Sequence, residues 1–533
     1  MTKKIFLFAS IVFSMLCVSC ELKDFDFQDD PSKLTPEDVS PDYLLNEIQY
    51  QFQLMMREHV RNTDDIMRYE AMTDTYAALV SDGILTLEWS TLYSMRINDK
   101  ILQDLAADNP DLKFHSAMSK LLTGYATVTM VDYVGDIPFS EALQGLDIPN
   151  PKTDDSVLIY DSVLSDIDDA ITDFSAATVK PFTDLYYNGD NQKWIAFARS
   201  LKLKLLLQTR LVNANFSSVP NIVTEINNLI ASGVTTTGAG DFQFKNSTEI
   251  SPDGRHFYFE RGYSSNGMFE YIGNYFMYML KDSKSVRDPR LRYYVYRQSG
   301  TDPVATGFII CSGNPDYDYC YVGDMYSGID HGDERTGRAD RFLRTIYGLY
   351  PGGGAFDADN FVTAVQSSNL GGAGILPLLS ASYVKFLMAE SALTLGTTGD
   401  PAVLLEQGIR LSMDKVLNFA TVDPAYAATS TDVNNYVAEV MANYANAATD
   451  AEKLDIIITE SYLAGFGNSI AAYNAYRRTG YPSNIQEPVD NESVPFPRSF
   501  QYPSNALNSN TSLTQRAITE QIFWDNNPAG FIK

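Results

Sequence analysis

The chain has 533 residues, of which 45% are hydrophobic and 12% aromatic, and that composition excludes a disordered protein. A formal charge of −27 at pH 7 and a pI near 4.5 oppose binding to the phosphate backbone of nucleic acid or to an anionic membrane surface. The remaining classes are globular, with a neutral or cationic ligand easiest to accommodate.

Residues 1–19 read as a secretory signal: Lys3 and Lys4 precede an apolar run from Ile5 to Leu16, and Cys17, Val18, Ser19 and Cys20 follow. Ser19 before Cys20 resembles a bacterial lipobox, with Cys20 as the lipidated first residue of the mature chain, although Leu16 stands one place further out than the usual pattern has it. Removing the signal removes two lysines and no acid, which takes the charge from −27 to −29. Residues 20–37, with Glu21, Asp24, Asp26, Asp29 and Asp30, then form an acidic tether resembling the export signal of surface lipoproteins of Bacteroidetes. No later apolar run is long enough to cross a bilayer, so lipid is the expected anchor.

An N-terminal helical scaffold is expected over 38–232. Leu44, Leu45, Ile48, Phe52, Met55, Met56 and His59 follow helical spacing, with His59 expected half-buried. Further helices are expected from Trp89 to Leu105, from Phe114 to Val131, after the capping groups Asp154, Asp155 and Ser156, over Lys193–Leu211, and from Asn221 to Ser232. Asp161, Asp166, Asp168, Asp169 and Asp173 read as a solvated face.

Helical signals thin out over 233–375, the expected ligand-binding excursion, apart from a helix expected over Asn266–Lys281. Within it, Phe308–Phe356 carries Tyr317, Tyr319, Tyr321 and Tyr326 among Gly, Asn, Pro and Asp residues. Cys311 and Cys320 are expected to pair in an oxidising compartment, since both belong to an exported chain and no other cysteine survives anchoring. Alternation in an extended segment would put Tyr317, Tyr319 and Tyr321 on one face, as a stacking platform. Tyr326 and Trp89 are weaker ligand candidates, with packing as their first role.

Helical hairpins return over 376–478: one helix through Tyr383–Leu393 stopped by Gly396, a second capped by Asp400 and started by Pro401, a third over Asp432–Ala445 and at least one more in Ala451–Tyr476. Residues 479–533 are rich in Pro and Asn and are expected to pack irregularly on the scaffold.

Signatures of catalysis are missing from the sequence: it has no His-Glu-x-x-His, no Gly-x-Ser-x-Gly, no P-loop and no dinucleotide-binding glycine fingerprint. Only His59, His115, His256 and His331 are available, and they are scattered. Asp316, Asp318 and Asp324 near Gly323 have the composition of a calcium loop without EF-hand spacing, so no metal and no cofactor is assigned.

Several segments in order along the chain resemble the SusD/RagB-like family of nutrient-binding outer-membrane lipoproteins, in its second SusD-like branch. They are Cys20; Trp89 to Tyr93; Gly135 to Leu143; Ile159 and Tyr160; Gly189 and Asp190 before Lys193 and Trp194; Asp288 to Leu291; His331 to Asp333; Tyr347 to Gly354; Ala389 and Glu390; Arg477 to Pro482; and Trp524 with Asp525. Ser461 and Tyr462 stand where the family pattern has lysine and tryptophan, and Trp524 stands single where paired tryptophans are common. The resemblance implies an all-α fold, a superhelical stack of tetratricopeptide-like helix pairs bearing an irregular, loop-rich ligand-binding domain. It also implies a surface-exposed lid on a TonB-dependent SusC-like transporter in the outer membrane, delivering a glycan or, alternatively, an oligopeptide. A surface hydrolase is the reading from a different class, which product analysis on glycans separates, since only the hydrolase shortens them.

Overall fold

The computed structural model describes residues 39–212, 216–265, 270–304, 311, 314, 316–333, 340–489, 495–528 and 530–532. The expected signal, Cys20 and the acidic tether lie outside them. Helices of eight residues or more are numbered here in chain order.

Six of them form the N-terminal part: α1 (Pro41–Asp64), α2 (Thr86–Ala106), α3 (Lys113–Val134), α4 (Ser156–Ala176), α5 (Asn191–Gln208) and α6 (Ile222–Ser232). Each packs on its neighbours in the sequence. Local chemistry sets the ends. Asp155 accepts from the Val157 N–H to open α4, Asp190 from Gln192 and Lys193 to open α5, and Asn221 from Thr224 to open α6. The carboxylates of α4 lie on an exposed to part-exposed face, as expected, and two of them also hold partners: Asp168 binds the buried Lys202 at 2.7 Å, and Asp161 accepts from Ser217 and Ser218. His59 is fully buried rather than half-buried, with neither ring nitrogen hydrogen-bonded, and burial drives its pKa down to about 3, so it is neutral packing on Tyr133 at 4.4 Å.

The chain leaves the helices after Ser232 and returns at Ala381. The strands carrying it out and back, β3 (Phe242–Lys245) and β6 (Ile375–Leu379), pair antiparallel, Phe244 opposite Leu376, and make a neck. Two further two-stranded ribbons join β1 (Ile137–Pro138) to β2 (Thr153–Asp154) and β4 (Val295–Arg297) to β5 (Thr345–Tyr347). Phe242 is the neck's anchor: its ring stacks on Phe197 at 3.9 Å and on Tyr186 at 4.5 Å, inside the scaffold core. Helix α7 runs only over Asn274–Lys281, shorter than the expected Asn266–Lys281. Ile272 is drawn into a bridge with Glu70 and the Gly273 N–H bonds the Tyr69 carbonyl at 3.1 Å, so the backbone before Asn274 is spent on the scaffold; residues 266–269 are outside the described set.

That seam continues. Ala71 donates to the Tyr271 carbonyl at 2.7 Å, Gly332 to Met72 at 2.9 Å, and the Tyr258 hydroxyl to Asp64 at 2.8 Å. Gly328 fits because the Ile272 carbonyl and the Met277 methyl occupy the space of any Cβ.

The remaining helices are α8 (Ala381–Leu395), α9 (Pro401–Leu417), α10 (Ser430–Asn446), α11 (Asp450–Ala464) and α12 (Ser469–Thr479). Gly396 ends α8 in the left-handed conformation, at φ 68°, and Asp400 with Pro401 opens α9 as expected. Capping boxes open α10 at Thr429 with Asp432 and α11 at Thr449 with Glu452. The segment Ala451–Tyr476 holds two helices, because the chain turns between Ala464 and Ser469, where Gly467 has φ 94°. Helices α8 to α11 pack as successive pairs, and α12 packs across α1. Tyr462, at the family's tryptophan position, stacks on Tyr69 at 4.6 Å, with an interplanar angle of 11°, and each hydroxyl bonds a backbone carbonyl, Tyr69 to Tyr462 at 2.6 Å and Tyr462 to Met67 at 2.9 Å. After Thr479 the described chain is irregular apart from a short helix at Ser504–Ser509. It runs back over the N-terminal helices through Phe500 to Tyr133 (2.7 Å), Gln501 to Val80 (3.1 Å) and Ser504 to Asp82 (2.8 Å). Pro41–Lys533 is one compact unit, mostly helical, with the paired helices expected.

Candidate functional site

Cys311 and Cys320 are joined by a disulfide, Cα to Cα 5.7 Å. The tyrosines that follow are held by one carboxylate: Asp330 accepts the N–H groups of Tyr319 and Cys320, each at 3.1 Å, and the side-chain amide of Asn274 at the start of α7. Asn274 also donates to the Cys320 carbonyl at 3.1 Å and accepts from Gly328 at 3.0 Å. This clamp bends the chain. Cys320 has φ 53° and the Tyr321 N–H turns back to the Tyr319 carbonyl. The expected extended segment is therefore absent, and so is the single alternating face, because turning Tyr319 and Cys320 toward Asp330 satisfies a buried carboxylate.

A different aromatic surface takes its place. The partly exposed Tyr319 lies 4.7 Å from the half-exposed Tyr278 and 6.3 Å from Tyr275, both on α7. Burial, with Asp318 adding, holds the Tyr319 phenol well above its ordinary pKa, so it stays a neutral donor. Tyr321, also part-exposed, uses its hydroxyl to accept the Met325 N–H at 2.7 Å, and Tyr317 is part-exposed at the entrance of the turn. The α7 tyrosines went unread as site residues. Their spacing in Tyr271, Tyr275 and Tyr278 places Tyr275 and Tyr278 side by side on one helix face, which is the signal available for them.

The other two candidates pack. Tyr326 is 1% exposed, with the Arg297 guanidinium 4.6 Å above its ring, and Arg297 is fixed by Asp357 at 2.7 Å and by Asp359. Trp89, on α2, meets Tyr93 at 5.2 Å and Tyr502 at 5.9 Å, within the scaffold. Asp324 is bound to Arg287 at 2.8 Å and Lys281 at 3.4 Å; among the described residues, no group of three or more His, Cys, Asp or Glu is placed to hold a metal ion.

The match to known proteins follows this architecture. A family model described as "Starch-binding associating with outer membrane" covers residues 33–503, most of the chain. The chain belongs to the SusD-like family. Its SusD-like fold is shared with a chitin-binding SusD homologue from Flavobacterium johnsoniae, at TM-score 0.66 and 20% identity over 91% of this chain and 99% of that one. A SusD homologue from Bacteroides ovatus gives TM-score 0.66 at 18% identity, over 91% of this chain and 99% of its own. A Bacteroidetes SusD-like protein gives 0.67 at 20%, over 92% and 100%. No curated protein sequence matches the chain. SusD-like proteins are binding proteins, and this chain is a binder and not an enzyme. Among the described residues, no helix is long and apolar enough to cross a membrane.

Proposed function

We propose that the protein is a cell-surface lipoprotein, anchored through Cys20, that binds a nutrient glycan with its 233–375 excursion and serves as the lid of a TonB-dependent SusC-like transporter. The family match over 33–503 carries this reading. Its ligand class is supported by the family's starch-binding description and by the chitin-binding homologue that shares the fold. The clamped tyrosines add the chemistry: an aromatic face covers the apolar C–H side of a sugar ring, and phenol hydroxyls reach its hydroxyls.

Titration of the soluble form with chito- and malto-oligosaccharides tests this. At least one series is expected to bind, and Tyr319→Ala is expected to weaken it about five- to tenfold, the loss of roughly 1–1.4 kcal/mol of stacking. Tyr317→Ala and Tyr321→Ala serve as companions. Unchanged affinity in all three folded variants would remove the site from this loop, and no binding of any glycan would remove the ligand class. Anchoring has its own check: Cys20→Ala is expected to abolish fatty-acid labelling and detergent partitioning, and wild-type labelling in that variant would refute the anchor.

A further inference from the structure

Strand β4 presents neighbouring side chains to opposite sides. Arg297 turns to Tyr326 and Asp357, below the tyrosine loop, whereas the Tyr296 hydroxyl donates to the Val362 carbonyl at 2.7 Å on the other side. Tyr296 there lines an open cleft of about 470 Å³, walled by residues 354–370 and by Ala420–Asp423 beyond the end of α9. The segment at Ala420 and Val422 also lines a second cleft, of about 550 Å³, between the end of α9 and the start of α10. Phe356 lines the first and Tyr293 the second, and the two rings meet edge to face at 4.8 Å. Both volumes fall in the range of about 300–1,000 Å³ usual for small-ligand clefts.

Three polar side chains of the first cleft are free for a ligand, while those of Tyr296, Ser367 and Asn369 are bonded within the protein. The side-chain amides of Asn360 and Gln366 and the hydroxyl of Ser368 are exposed and make no hydrogen bond within the described chain. Its lining has no Lys or Arg and includes the carboxylate of Asp423. In the second cleft Arg410 is committed to Glu406 at 2.8 Å and Asn434 at 3.0 Å, beside Asp414.

We infer that these joined clefts form a second binding site, separate from the tyrosine loop, for a neutral oligosaccharide. Phe356 offers an apolar face to a sugar ring, and amides, which both donate and accept, match hydroxyls and N-acetyl groups. The uncompensated carboxylates, in a chain of charge −27, disfavour uronate or sulfated glycans. The choice of ligand class rests on the glycan-binding reading, while the place does not.

Wild type, the double variant Asn360→Ala with Gln366→Ala, and Tyr319→Ala are to be titrated with chito-oligosaccharides, malto-oligosaccharides and oligogalacturonate. Neither amide is bonded to the protein, so the double variant keeps the fold, which circular dichroism verifies. The expected result is that a neutral series fits two sites in wild type. The double variant weakens one about five- to tenfold, Tyr319→Ala leaves that one intact, and oligogalacturonate responds to neither cleft substitution. Overturning results are a double variant that titrates as wild type with every neutral sugar, or one that loses oligogalacturonate equally. If one site is seen, lost in Tyr319→Ala and untouched in the double variant, this inference falls alone. If no glycan binds wild type, the functional reading falls, and the ligand class inferred here with it.

Discussion

Replacing Arg478 by methionine is expected to lower the free energy of unfolding by about 3 kcal/mol at pH 7. Arg478 is buried, and its guanidinium holds both oxygens of Glu390, at 2.8 and 2.7 Å, while also reaching Gln208. Methionine fills the stem's volume but leaves Glu390, 1% exposed, with a single cation, Arg210 at 3.0 Å. That surviving partner puts the loss at the lower end of the usual 3–5 kcal/mol for breaking a buried pair. Lysine is expected to restore only part of it, because a point charge cannot reproduce two parallel bonds.

The same pair sets an acid dependence. Burial alone pushes the Glu390 carboxyl up, but Arg478 and Arg210 outweigh it and hold it below the ordinary value of 4.5. A depressed folded value means the pair's contribution is complete above the unfolded pKa and is lost as pH falls from about 4.5 through the folded value. Urea unfolding of both proteins at pH 7 and below pH 4 should therefore show the gap narrowing with acid. Equal stability at pH 7 would mean the pair contributes as little as an exposed one.

Trp524→Ala is the second large effect, about 3–5 kcal/mol from the lost ring alone. Trp524 is fully buried, its indole N–H donates to Asp132 at 2.8 Å, and the Arg477 guanidinium lies 4.8 Å over its ring. Asp132 would keep the Tyr160 hydroxyl and the Asn474 amide at 2.7 Å but lose a donor in the interior. Trp524→Phe separates the two contributions, since it keeps most of the packing and loses only the N–H. Thermal unfolding followed by far-ultraviolet dichroism reads both, and an unshifted midpoint for Trp524→Ala would show the C-terminal segment to be a dispensable wrap.

The helical pairs were legible because their signals are local. Gly396, Asp400 and Pro401 bound α8 and α9 through groups within a turn of each other, and apolar spacing marks α1 to α4 without knowledge of any partner. Distant partners decided what was missed. The tyrosine segment alternates as a strand would, but Asp330, ten residues beyond Cys320, takes its N–H groups and bends it. Asn274 joins that clamp from 46 residues upstream of Cys320. The clefts beside Tyr296 left no trace, since they draw on the end of α9, the β4 strand and residues 354–370, whose short polar loops have no periodicity to read. His59 sat on the correct helix face, but the depth of its burial depends on Tyr133 and on α12 crossing α1.

Asp132 also imposes an order on how the chain becomes a protein. Its partners Asn474 and Trp524 lie 342 and 392 residues later, and Arg477, which bonds its carbonyl at 2.7 Å, lies 345 later. A chain emerging from its N-terminus can form α3 early, yet the carboxylate in its last turn must wait for nearly the last residues before it can be buried without cost. Contacts of such range make closure of the core a late and slow event, after which α3 and α12 are locked together. Until then Asp132 lacks the Asn474 and Trp524 donors that the last part of the chain brings to it.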